Sequence, residues 1–195
     1  MKHLLIILLL SFTFSQSFGQ IAKYSANTSS EELFKSPLRL KFQDKYNTII
    51  SFCMQSYWSD RVIYKILAFD GQNWKLLQWS YRRQYQTDTK TKKEKLSVTD
   101  LEEKKALDFI NTLETNDFFL MNEDSLNLSE KQAEDDGIFV MSITDGTNNK
   151  FEVISDYGYF SVSAYEPEQL QDFVPVIQRQ KFLICRQRFL ELFEY

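Results

Sequence analysis

The alternation of apolar and polar positions divides the chain into short elements. Leu38, Leu40 and Phe42 alternate with Arg39 and Lys41, which predicts a strand with one wet face. Before it, Ser29 and Glu32 have the spacing of a capping box, which predicts a short helix through Phe34, stopped at Ser36-Pro37. The apolar run within 46–57 fits either a buried strand or a helix of about three turns. Residues 62–69 and 74–81 are β-type runs around Asp70-Gly71, whose turn chemistry predicts a hairpin. Residues 84–95 are polar and without period, and a mobile loop is expected near 84–97.

Thr99 and Glu102 repeat the capping-box spacing and predict the start of a helix. Its buried stripe is Ala106, Phe109, Ile110 and Leu113, and it ends near Asn116. A second mobile loop is expected near 122–136, which is acidic and irregular. Residues 138–143 and 150–154 flank Asp145-Gly146 and predict a second hairpin. In 157–164, Tyr157, Tyr159, Ser161 and Ser163 alternate with Phe160, Val162 and Ala164, which predicts a third strand of that meander. Pro167 suits a first helical turn. The C-terminal segment carries Phe182, Cys185, Phe189, Leu192 and Phe193 as one apolar stripe.

This order implies an α+β fold: an antiparallel sheet built from β-hairpins, with a central helix and an amphipathic C-terminal helix packed on it. The two Asp-Gly segments share a local pattern, Asp70-Gly71…Asn73…Lys75 and Asp145-Gly146…Asn148…Lys150. It fits either an old duplication of a ββα unit or the ordinary recurrence of turn residues.

The first segment changes the picture. Lys2 and His3 precede the apolar run Leu4 to Leu10, and Ser17-Phe18-Gly19 places small residues at −3 and −1 of a cleavage site. These are the three regions of a secretory signal peptide over 1–19, with cleavage after Gly19 and one domain over 20–195. The run is short of the ~20 residues a spanning helix needs, so no transmembrane segment is expected in the mature chain. A periplasmic or secreted protein follows.

Composition then narrows the chemistry. The single histidine of the 195 residues, His3, leaves with the signal peptide. That excludes Ser-His-Asp and Cys-His centres, imidazole zinc sites and His-ligated haem. A net charge of −4 argues against a nucleic-acid partner. Cys53 and Cys185 fit either a disulfide, which would close a long loop and stabilise by roughly 4–5 kcal/mol, or two buried apolar thiols.

Three constellations remain. Glu134-Asp135-Asp136, with Glu123, Asp124 and Glu130, offers paired carboxylates, although such runs are usually solvated. Asp145-Gly146 with nearby Asn148, Asn149 and Glu152 has oxygens but not the spacing of a calcium loop, and turn chemistry explains it without a metal. The third is aromatic. Trp79, Tyr81, Arg82, Arg83 and Tyr85 interleave rings with cations, and Tyr157 and Tyr159 share a face with Ser161 and Ser163. Together they form the candidate binding patch, with packing of the second face beneath the final helix favoured over stacking on a sugar. No phosphate-cradling, nucleophile-elbow or metalloprotease motif is present, and no cofactor or metal is implied.

The reading that fits best is a non-catalytic extracytoplasmic binding domain for a protein or glycan partner. Its alternatives are a periplasmic inhibitor or immunity-type protein, a carboxylate-dependent hydrolase acting on polysaccharide, and an envelope component docking through its apolar C-terminal helix.

Overall fold

The computed structural model describes residues 35–56, 58–83, 94–132, 137–156 and 158–194. Within them the fold is α+β, as expected. Six antiparallel strands form one sheet in the order β4-β3-β2-β1-β7-β8. They are β1 (Thr48–Ser56), β2 (Arg61–Phe69), β3 (Trp74–Arg82), β4 (Lys95–Leu101), β7 (Thr147–Ser155) and β8 (Gly158–Tyr165). A separate two-stranded sheet pairs β5 (Glu130–Gln132) with β6 (Ile138–Val140). The helices are α1 (Pro37–Phe42), α2 (Glu103–Thr115), α3 (Glu123–Leu126), α4 (Pro167–Phe173) and α5 (Ile177–Glu191), with a 3-10 turn at Phe118–Leu120.

The ambiguous segment is a strand. β1 lies at the sheet's centre between β2 and β7, and its first six residues are buried. The Asp70-Gly71 hairpin forms as expected. Asp70 Oδ1 accepts from the backbone N–H of Gln72 and Asn73 at 3.0 and 2.8 Å, and Gly71 takes φ +96°. Those two bonds hold the Asp70 carboxyl below the usual carboxylate range.

Period-2 alternation sends each strand's residues to two different layers. One face carries Ile50, Phe52, Leu67, Trp74, Phe151, Val153, Phe160 and Val162. It packs against the α2 stripe (Ala106, Phe109, Ile110, Leu113), the 3-10 turn (Phe118, Phe119) and the α5 stripe (Phe182, Cys185, Phe189). The other face carries Ile49, Cys53, Val62, Tyr64, Ile66, Leu77, Trp79 and Ile154, covered in part by Leu38 and Phe42 of α1.

Several expectations are corrected. Leu38 to Phe42 is helix α1 rather than a strand: Pro37 occupies its first turn, Leu38 and Phe42 share the buried side at i,i+4, and Leu40 is 85% exposed. Thr99 does not cap α2, because it pairs with Leu76 in the β3–β4 ladder. The helix starts two residues after that strand ends, with no side-chain cap at Glu102. The expected loop near 84–97 yields to strand β4 from Lys95 onward, while 84–93 lie outside the described residues, and the loop expected near 122–136 holds α3 and β5, with 133–136 outside the described residues. The second hairpin does not form as expected. β6 pairs with β5, whereas β7 pairs with β1 and β8. Only its third strand, β8, joins β7. The two Asp-Gly segments therefore sit in unrelated pairings, which ends the duplication reading. The expected signal peptide and the capping box at Ser29 also lie outside the described residues.

Arg179, in the first turn of α5, is fully buried. Its guanidinium donates to the carbonyls of Leu126, Leu128 and Val174 at 2.6, 2.6 and 2.7 Å. Leu126 ends α3 and Val174 follows α4, so one cation satisfies carbonyls left open at two helix C-termini. Burial pulls the Arg179 pKa downward.

Candidate functional site

The described residues cover the face away from α2 and α5 only in part, and the part they leave uncovered is polar. There β7 presents Asn148, Lys150 and Glu152, and β8 presents Tyr159, Ser161 and Ser163. The antiparallel register aligns them in rows. Ser51, Glu152 and Ser161 stand in one row, and Tyr64, Cys53, Lys150 and Ser163 in the next. Lys35 and Ser36 before α1 form one wall, and Glu123 of α3 closes another. The result is a cavity of about 550 Å³.

Glu152 is its chemical centre. The residue is 2% exposed, so its carboxylate needs partners within the protein. Tyr159 Oη donates to Glu152 Oε1 at 2.7 Å, and Lys150 Nζ lies 3.4 Å from the same oxygen. Glu123, the second carboxylate, accepts from Ser163 Oγ at 2.7 Å. Tyr64 and Tyr81 stack at 6.4 Å and share a hydroxyl hydrogen bond. Burial raises both phenols above their ordinary pKa, so they act as neutral hydroxyls. Burial likewise pushes the Cys53 thiol up to about 11, which makes it a poor nucleophile.

The candidate binding patch is not one surface. Tyr81 and Tyr159 both line the cavity, from β3 and β8. Trp79 is core: it is 4% exposed, stacked on Tyr64 at 5.5 Å, with the Phe42 ring edge-on at 5.5 Å and Lys41 Nζ over it. Arg82 alternates away from that face and pairs with Asp60. The Arg83 backbone N–H donates to Asp60 O, which fixes the end of β3. Tyr85 and Tyr157 lie outside the described residues. The expected packing of the Tyr/Ser face beneath the final helix is reversed: Phe160, Val162 and Ala164 lie on the side of the sheet that α5 covers, and Tyr159, Ser161 and Ser163 face the cavity.

Cys53 and Cys185 are both free and buried. No bridge forms, because Cys53 belongs to the α1 side of the sheet and Cys185 to the α5 side, with the sheet between them. Of the apolar stripe, Phe182, Cys185 and Phe189 of α5 are buried in the protein's own core, and Leu192 and Phe193, just past the helix end, are partly buried against it. Of the carboxylate constellation, Glu123 reaches the cavity, while Glu134, Asp135 and Asp136 lie outside the described residues.

Sequence reasoning placed Lys150 only in the repeated Asp-Gly pattern and Glu152 only among the oxygens near that turn, and did not join them into a site. Their signal was present, since they alternate with Phe151 and Val153 as Tyr159 and Ser161 do with Phe160 and Val162. A second, smaller cleft of about 340 Å³ runs between α2 and α5, lined by Lys105, Asp108, Thr112, Arg188 and Glu191, and is an ordinary solvated groove between two helices. Among the described residues no group of three or more His, Cys, Asp or Glu is placed to hold a metal ion, and no helix is long and apolar enough to cross a membrane. No protein-family model matches the chain, no curated protein matches its sequence, and no solved structure matches its fold.

Proposed function

We propose that this chain is an exported, non-catalytic binding domain, released after Gly19 and holding part of an extracytoplasmic partner, protein or glycan, in the cavity of the open sheet face. The observation that supports this reading is the cavity itself. Its volume of about 550 Å³ falls in the range of small-molecule sites. Its polar groups are fixed by rigid strands and by one another, as pre-organised binding requires. One observation favours a second reading, a carboxylate-dependent hydrolase: Glu123 and Glu152 both line the cavity. Against it, Glu152 Oε1 is already engaged by Tyr159 and Lys150, which gives it the place of a structural anchor rather than of a free acid.

The test offers the purified protein fluorescently labelled envelope polysaccharide, and separately an extract of envelope proteins. It scores retention and the release of fragments. Retention without fragments is expected, together with loss of retention in Gln55→Trp, which fills the cavity from β1. Fragment release by the wild type would move the assignment to the hydrolase. Retention unchanged in a folded Gln55→Trp variant would place the binding surface elsewhere. The N-terminal sequence of the exported protein is expected to begin at Gln20.

A further inference from the structure

Resting on the binding reading above, we infer that the cavity takes an uncharged, polyhydroxylated ligand: a neutral saccharide of about two rings.

The first argument is charge. Four lining residues are ionic, the cations Lys35 and Lys150 and the anions Glu123 and Glu152, so the lining is formally balanced. Glu152 already has Lys150 beside it at 3.4 Å. A charged ligand would compete with that pair, and would bring a net charge into a concave site that has none to oppose it.

The second argument is hydrogen-bond type. The rest of the lining is dominated by groups that both donate and accept: the hydroxyls of Tyr81, Ser161 and Ser163 and the amides of Gln55 and Asn148. A sugar hydroxyl also does both, so each can find a partner without a fixed polarity. Ser36 adds an independent sign. It is 3% exposed, it lines the cavity, and its Oγ has no hydrogen-bond partner among the described residues. Buried hydroxyls are ordinarily paired, and a ligand hydroxyl or a bound water at this wall would pair this one.

The third argument is the ring. Tyr81 ends an aromatic stack in which Trp79 and Tyr64 are buried and Tyr81 is only half-buried. The stack makes Tyr81 a rigid surface, apolar across the ring and polar at the hydroxyl. A pyranose has the matching character, with C–H faces and a hydroxyl rim.

Calorimetric titration of the whole protein tests this with disaccharides that differ in charge. The neutral probes are N,N′-diacetylchitobiose, cellobiose and maltose. The cationic probe is chitobiose with free amines, and the anionic probe is a hyaluronan disaccharide. The expected result is binding of at least one neutral probe, with both charged probes weaker. Glu123 is exposed, so Glu123→Gln keeps the fold while leaving the lining one positive charge in excess. In that variant the anionic-to-neutral affinity ratio is expected to rise by about fourfold. Lys150→Gln is expected to raise the cationic-to-neutral ratio instead. Melting curves of both variants accompany the titrations.

Tightest binding of a charged probe by the wild type, ratios unmoved in both folded variants, or no heat from any probe would each overturn the inference. A neutral polymer retained without its disaccharide being bound would also overturn it, by assigning the contact to an extended chain surface. The binding reading stands or falls separately, on retention of an envelope partner and its loss in Gln55→Trp.

Discussion

On β7, Phe151 and Val153 point to one side of the sheet and Lys150 and Glu152 to the other. On the first side, Phe151 lies within 5.7 Å of the rings of Phe52, Phe118, Phe182 and Phe189. On the second, one residue away in sequence, Glu152 is held by a phenol and an ammonium at the wall of a cavity. Among the described residues, the dry side is covered by two long helices, while the wet side has the six-residue α1. The larger core thus lies on one face of the sheet, and a smaller core shares the other with the cavity. A substitution's effect should depend on which face it strikes.

The sharpest break in that comparison is Phe151→Ala. The ring is fully buried among four others, and its loss is expected to cost about 4 kcal/mol in urea denaturation. Ser163→Ala, in the adjacent strand but facing the cavity, removes one partly solvated bond to Glu123 and is expected to cost about 0.5 kcal/mol. Comparable losses at the two sites would contradict the division of labour. Arg179→Met comes next, at about 3 kcal/mol, because it strands three carbonyls at once. Arg179→Lys should recover only part of that loss, since an ammonium cannot span three acceptors in the plane of a guanidinium.

The parts of this division that were legible in the sequence were those with a long local period. The α2 stripe, the Phe182, Cys185 and Phe189 part of the α5 stripe, and the hairpin of 62–69 with 74–81 are set by residues close in the chain, and they form as read. The errors fall where a short signal met a distant partner. Leu38, Leu40 and Phe42 satisfy strand alternation and, at i,i+4, a helix; packing of Leu38 and Phe42 onto the sheet decided for the helix. Thr99 has the spacing of a cap, but pairing with Leu76 claimed it for the sheet. Residues 138–143 carry strand character next to an Asp-Gly turn, yet β7's partner is β1, about a hundred residues earlier. The site was half legible for the same reason. Alternation separated Tyr159 and Ser161 from Phe160, but which layer receives each face is a property of the whole sheet. Glu152 emerged as a site residue only once the register set it beside Ser51 and Ser161.

On the wet face, the next expected effect is that of Tyr159→Phe. It removes the hydroxyl donated to Glu152 at 2.7 Å, and a hydrogen bond to a buried charged group contributes about 2 kcal/mol. Lys150 remains beside the carboxylate, so the variant should fold, with a lower urea midpoint. A loss well below 1 kcal/mol would show that Lys150 alone supports Glu152.

The two cysteines probe both faces with one chemistry, and their effect at neutral pH is expected to be nil. Burial raises the thiol pKa from 9.0 to about 11 at Cys53, beside the cavity, and to about 12 at Cys185, in the dry core. The unfolded chain then releases thiol protons at a lower pH than the folded one. Stability from this source is complete below about pH 9, and it declines as pH rises through 9 toward 11 and 12. Urea midpoints across pH 7 to 11 should therefore hold level and then fall, and Cys185→Ala should shallow the fall more than Cys53→Ala. Intact mass after alkylation in denaturant should show both thiols free, consistent with their separation by the sheet. Alkylation of the folded protein at pH 8 should be slow at both, and slower at Cys185. Faster reaction at Cys185 would mean that the α5 side opens more readily than the cavity side, which would invert the contrast between the two faces.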